Sequence, residues 1–161
     1  MWGYREGPEE ATAEYYRAEC AIRMMKRLAG AGGPWHLEVH FVQPHDPYMP
    51  LKKYLDRYDA RSIRVPASFR DTFEGKPGLH RRESETWGTV TEQDYQDGRA
   101  HYYAYAEQLD AQIGRVLDAL KETGQEENTW SWRPRTMATW WVPIESGSRV
   151  GFHMKRLTGC L

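Results

Sequence analysis

The stretch that most limits what this chain can fold into is Trp35 to Pro50, W-H-L-E-V-H-F-V-Q-P-H-D-P-Y-M-P. Trp35, Leu37, Val39 and Phe41 alternate with His36, Glu38 and His40, and β-branched and aromatic residues at period two predict a buried strand. Pro44, Pro47 and Pro50 then follow. None of them can donate a ladder hydrogen bond, so the strand must end there. Each also fixes φ, which makes the following loop stiff. His45 is thereby held at a strand's carboxyl end, where open α/β sheets place their ligands.

An apolar strand running into F-x-x-P-H-D-P-Y-x-P (Phe41 to Pro50) resembles the sulfatases of the alkaline phosphatase superfamily. The resemblance runs from about Tyr4 to Thr129. It implies an α/β architecture: a partial alkaline-phosphatase-like fold in which a central strand is flanked by helices, one of them long. It also implies hydrolysis of sulfate esters, with the His of the P-H-x-P motif, here His45, in the active site as a hydrogen-bond donor to sulfate or an aid to the leaving oxygen.

A first helix is expected from about Thr12 to Leu28. Thr12 is the N-cap, Gly30 with Gly32-Gly33 ends it, and Tyr15, Ala18, Ile22, Met25 and Leu28 or Ala29 form the apolar face. Met24 and Met25 read as core, and Cys20 as a small buried residue. Leu51 to Tyr58 reads as a short helix and Arg61 to Phe73 as extended, with Pro66 ruling out a long helix. Gly75-Lys76-Pro77-Gly78 is a turn. His80-Arg81-Arg82-Glu83 is a charged patch with two readings. It is either a solvated segment or, through Arg81 and Arg82, a cationic site for an anionic substrate, because a guanidinium holds a sulfate with two parallel hydrogen bonds.

The longest element starts at Thr91, an N-cap with Asp94 at the third helical position, and closes at Gly124. Tyr102, Ala106, Leu109, Ile113, Val116 or Leu117, and Leu120 give it an apolar stripe. At 1.5 Å per residue its roughly 30 residues extend about 45 Å. A helix of that length needs a large partner surface, normally a sheet, and the chain offers one confident strand. Leu109 to Gly124, L-D-A-Q-I-G-R-V-L-D-A-L-K-E-T-G, is similar to the sulfatase helix that crosses behind the sheet and leads through an N-T step to a strand ending in a metal-binding D-H-G. Asn128-Thr129 supplies that step, and then the pattern breaks.

Four of the seven Trp residues, Trp130, Trp132, Trp140 and Trp141, lie beyond it in a segment without a helix or strand period. Trp and Met have single codons, so part of the DNA is inferable. Reading the last base of each codon with the first two of the next, Met137-Ala138 forces Gly, Trp140-Trp141 forces Val, and Trp141-Val142 forces Gly. Ile144-Glu145 forces Arg, barring a stop. The offset frame from Arg135 permits D-H-G-D-(Met, Leu or Val)-V-G-x-H-R, and Trp130 to Pro134 permits V-V-A-A. The expected organisation is therefore residues 1–129 as an internal fragment of a sulfatase catalytic domain and 130–161 as a non-family tail, irregular, produced by a frameshift or gene decay near codon 130.

The resemblance implies a formylglycine nucleophile, made from a C/S-x-P-S-R motif, and a calcium ion that neutralises the sulfate oxygens. The motif is absent: Cys20 is followed by A-I-R and Cys160 is next to last. Neither Cys has metal-type spacing. His36, Glu38 and His40 share a strand face, but no further ligand is evident, so no metal site is expected, and no cofactor bound to this chain. The partner of the parent enzyme would be a sulfated small molecule or glycan. Lys plus Arg is 22 and Asp plus Glu is 23, and this balance gives no electrostatic case for nucleic acid or an anionic membrane. The chain has no apolar run of about 18 residues and no basic-then-apolar leader, so compartment stays open. Two other functions fit the same residues: a phosphonate or phosphodiester hydrolase of the superfamily, and a non-enzymatic helical interaction module built on 91–124.

Overall fold

Thr12 and Thr91 each turn the chain into a helix, and those two helices make the body of the protein. The computed structural model describes residues 1–86 and 88–132, with only the backbone described at Arg81, Glu83 and Thr86. α1 spans Ala13–Ala29; the Thr12 hydroxyl accepts from the Tyr15 amide at 3.3 Å, and Gly30 caps the other end. α2 is Lys52–Leu55, α3 is Gly78–Thr86 and α4 is Glu92–Glu122, 31 residues long. A full capping box starts α4: the Thr91 hydroxyl accepts from the Asp94 amide (3.1 Å) while the Asp94 carboxylate accepts from the Thr91 amide (2.8 Å). Past its end Gly124 takes φ +68°, a conformation open to Gly without steric cost.

α1 and α2 both pack on α4. The buried apolar residues are Ala18, Ala21 and Met25 of α1, Tyr48, Leu51 at the start of α2 and Tyr54 within it, and Tyr95, Ala100, Ala104, Tyr105, Ala119 and Leu120 of α4. Tyr48 meets Tyr102 edge to face at 5.4 Å, a favoured geometry for two aromatic rings. The Arg115 guanidinium lies over the Tyr15 ring at 3.9 Å and ties α4 to α1 again through Glu19.

Five expectations change. The described residues contain no β-strand, so the α/β architecture is not visible within them. The predicted strand nevertheless keeps its alternation: Trp35, Leu37, Val39 and Phe41 are half-buried, and His36, Glu38, His40 and Val42 exposed. A strand is defined by its ladder, and from Pro34 to Phe41 no backbone group bonds to another backbone group among the described residues. The stretch 61–73 is broken by two 3-10 turns, Ala60–Ser62 at its start and Ala67–Arg70 inside it, instead of running extended, with the Asp59 carboxylate capping the first. Met24 is exposed, since it sits 100° round α1 from buried Met25, and Cys20 is half-buried. The charged patch around Arg82 is helical, as α3.

The fifth change concerns the face of α4. Its buried line runs through Ala100, Ala104, Gln108 and Gln112, while Leu109, Ile113 and Val116 are half-buried and Leu117 exposed. The glutamines go inside because each finds charged partners there, and of the apolar stripe Leu120 is buried and Tyr102 packs on Tyr48. Residues 133–161, nearly all of the expected tail, lie outside the described residues.

Candidate functional site

The His45 loop is held on two sides. On one side the N-terminal residues run beside it in parallel, bridging Trp2 to Tyr48 and Arg5 to Leu51. Gly3 donates to Tyr48 O (3.0 Å), Tyr48 to Met1 O (3.2 Å), Arg5 to Pro50 O (2.9 Å) and Lys52 to Arg5 O (2.9 Å). The Arg5 guanidinium adds a bond to Met49 O at 3.2 Å. On the other side lies a buried polar cluster. Glu14 of α1 has no solvent exposure, and its carboxylate accepts from Gln43 at 2.8 Å and from Gln108 of α4. Gln108 in turn accepts from the Leu51 amide at 2.7 Å. Arg5 brings its guanidinium to 3.7 Å from Glu14. One carboxylate thus anchors both ends of the loop, residue 43 directly and residue 51 through Gln108. Buried charge is tolerated when it is paired and hydrogen-bonded, and the Glu14 carboxylate has two amide donors and the Arg5 guanidinium, while the Gln43 Oε1 is buried without a partner among the described residues.

Between these anchors His45 is about two-thirds exposed (68 %). Its Nδ1 lies 2.7 Å from the Asp46 carbonyl and 3.1 Å from an Asp46 carboxylate oxygen. Both groups can only accept, so Nδ1 carries the hydrogen and the ring is oriented with Nε2 outward. A neutral ring then presents Nε2 as a base, and a protonated ring presents Nε2–H to an anion. Asp46 thus steers the imidazole through both its carbonyl and its carboxylate.

Arg82 is exposed on α3, a helix outside the packed set of α1, α2 and α4. The side chain of Arg81 lies outside the described residues. Glu38 sits 3.3 Å from His40 and 3.8 Å from His36, all three exposed, so the H-x-E-x-H face exists as an outward row. Calcium wants six to eight oxygens around one point. Among the described residues no three of His, Cys, Asp or Glu converge in that way, so these side chains do not fit the ion and no step is routed through it. Cys20 faces Arg23 on α1, and its neighbours are not those of a formylglycine precursor. No described helix is long and apolar enough to cross a membrane.

What sequence reasoning missed is the Glu14–Gln43–Gln108 cluster. The one available signal was Ala100, Ala104, Gln108 and Gln112 at intervals of four, a row of small and amide side chains that marks one helix face.

Comparison with known proteins gives these residues a context. The sulfatase family model matches residues 4–130. The chain is 29 % identical over 110 residues to the sulfatase YidJ of Escherichia coli K12, covering 68 % of this chain and 22 % of that protein. It is 28 % identical over 131 residues to an arylsulfatase of Clostridium perfringens (80 % and 26 %). With the choline-sulfatase of Rhizobium meliloti it shares 30 % over 101 residues (60 % and 20 %). The chain thus spans about a quarter or less of the relatives it matches. A family match over nearly all of the described residues, with the His45 loop inside it, places the chain in the sulfatase family.

Proposed function

We propose that this chain is a piece of a sulfatase catalytic domain and that His45 is its contribution to the sulfate site. The observation that carries the reading is the orientation of His45: Nδ1 is taken by Asp46, Nε2 points outward, and the loop is fixed at both ends. A protonated Nε2 would donate to a sulfate oxygen or pass its proton to the leaving oxygen as the S–O bond breaks. Arg81 and Arg82 would hold the anion electrostatically. Sulfatases as a family use formylglycine and calcium; the sequence carries no C/S-x-P-S-R motif and the described residues converge on no cation site, so the parent enzyme would supply both from elsewhere.

The expected α/β sheet belongs to the same reading, with residues 35–43 as a strand whose neighbours lie in the rest of the parent. The family match ending at residue 130 supports a catalytic fragment of 1–129 followed by an offset-frame tail of 130–161. Relatives named for arylsulfate, choline sulfate and iduronate 2-sulfate support a sulfated small molecule or glycan as substrate.

The test compares two proteins. The purified 161-residue chain should not turn over an aryl sulfate. A gene with its upstream coding restored and the offset frame repaired after codon 129 should do so, and His45→Ala should lower its kcat by about 100-fold. Turnover by the short chain, or a fully active His45→Ala repaired enzyme, would overturn the proposal.

A further inference from the structure

Glu14 is the second residue of α1, has no solvent exposure, and turns its two carboxylate oxygens to different segments. Oε2 accepts from Gln43, two residues before His45. Oε1 accepts from Gln108, whose own carbonyl oxygen accepts from the Leu51 amide. Arg5, 3.7 Å from Oε1, donates its amide to Pro50 O and its guanidinium to Met49 O. Three attachments of the segment 43–51 therefore converge on one side chain. Stability alone does not call for a charge there, because a buried ion pair replaced by well-packed apolar side chains of similar volume is often neutral or stabilising. What a carboxylate supplies is geometry: two acceptor oxygens at fixed points, one for each amide.

We infer that Glu14 is a positioning residue for His45: it holds the segment 43–51 in the shape that keeps the imidazole hydrogen on Nδ1 and leaves Nε2 to meet the anion. The inference deepens the sulfate-site reading and rests on it. Three of the seven residues between Gln43 and Leu51 are proline, so few backbone angles stay free once both ends are fixed. Within that segment Nδ1 of His45 lies 2.7 Å from the carbonyl of the next residue, Asp46. Such a bond exists only over a narrow range of backbone angles at 45 and 46. The tautomer of an imidazole is set by the bond that its other nitrogen makes. Freeing Gln43 from Glu14 lets those angles spread, so Nδ1 loses its acceptor part of the time and the hydrogen divides between the two nitrogens. A neutral ring with its hydrogen on Nε2 has no lone pair there to take up a proton. Glu14 thus governs proton handling at His45 without touching the ring. Gln112 supplies the contrast. It is buried on the same face of α4, one turn beyond Gln108, but bonds Glu9 at 2.7 Å and Arg115 at 2.8 Å instead of Glu14.

Nitrogen-15 NMR of the full 161-residue chain tests it, at about pH 8.5, where an ordinary imidazole is neutral and its tautomer can be read. Wild-type His45 should carry its hydrogen on Nδ1. So should His101, whose Nδ1 meets the Asp97 carbonyl at 2.7 Å inside α4 and owes nothing to Glu14. Glu14→Asp, with a carboxylate too short to reach both amides, should give His45 a mixture of the two tautomers while His101 stays as it was. Gln43→Asn, which withdraws one amide by a single methylene, covers a loss of folding in that variant and should give the same mixture. Gln112→Leu, a comparable loss from the core, should leave His45 unchanged. In the repaired enzyme Gln43→Asn should lower kcat more than it raises KM, as expected when a group is misplaced for the proton transfer and not for binding. A wild-type His45 with its hydrogen on Nε2, an unmoved tautomer in both Glu14→Asp and Gln43→Asn, or an equal change in Gln112→Leu would each overturn the inference. These outcomes involve no sulfate chemistry. A mixed tautomer with an unaltered kcat would uphold the positioning by Glu14 and count against the sulfate-site reading instead.

Discussion

Gln43 reaches into the protein and donates a 2.8 Å hydrogen bond to Glu14, a carboxylate with no solvent exposure, two residues before the exposed His45. Removing that carboxylate leaves the Gln43 and Gln108 amides buried without their acceptor. An orphaned buried donor costs about 1–3 kcal/mol, so Glu14→Ala should lose about 3 kcal/mol of stability. Urea unfolding followed by circular dichroism measures it; a midpoint unchanged from wild type would show that the cluster is not stabilising.

Thr91 and Asp94 make the first turn of α4 sensitive to acid. Hydrogen bonds from the Thr91 hydroxyl and then from its amide hold the Asp94 carboxyl below the usual carboxylate range. A depressed folded pKa adds stability that is fully present above the unfolded value and fades as pH falls through the folded one. Stability should therefore decline from about pH 5 to pH 3, and Asp94→Asn should flatten part of that decline. Denaturant midpoints across that range decide it.

Tyr54 sets an alkaline limit. Burial, and then the hydrogen bond to Glu9 and that carboxylate's charge, push its phenol well above the ordinary range. A raised folded pKa adds stability that is present below the unfolded value and lost as pH rises through the folded one. Wild type should weaken above about pH 10, and Tyr54→Phe should weaken less steeply there. Absorbance of tyrosinate on stopped-flow mixing into base should show one fewer delayed ionisation in the variant.

Two glycines inside α4 give opposite expectations. A Cβ on Gly114 would meet nothing within 4 Å, and Gly114→Ala should stabilise by about 0.8–1 kcal/mol from helix propensity alone. A Cβ on Gly98 would touch the Trp2 indole at 3.4 Å, so Gly98→Leu should displace that ring and cost about 1–3 kcal/mol. Thermal melts separate the two signs.

The helices were legible because their punctuation is local. Thr12 with Gly30, and Thr91 with Asp94 and Gly124, lie within a few residues of the ends they set. His45 was legible for a like reason, since its prolines are adjacent. The buried face of α4 was not. Gln108 and Gln112 are inside because Glu14 and Glu9 meet them from 94 and 103 residues away, and no window along the chain contains both halves of such a pair. α3 has no apolar period to announce it, and its helicity rests on good helix formers following a Pro-Gly start. The strand was legible as a side-chain order but not as a ladder, because a ladder belongs to two segments at once.

The parallel run of Trp2–Arg5 beside Tyr48–Leu51 has a practical corollary. The carbonyl of Met1 itself accepts the Tyr48 amide at 3.2 Å, so the first residue is already a structural part. Cleavage of the backbone after Arg5 would therefore strip one wall from the histidine loop while leaving both main helices whole.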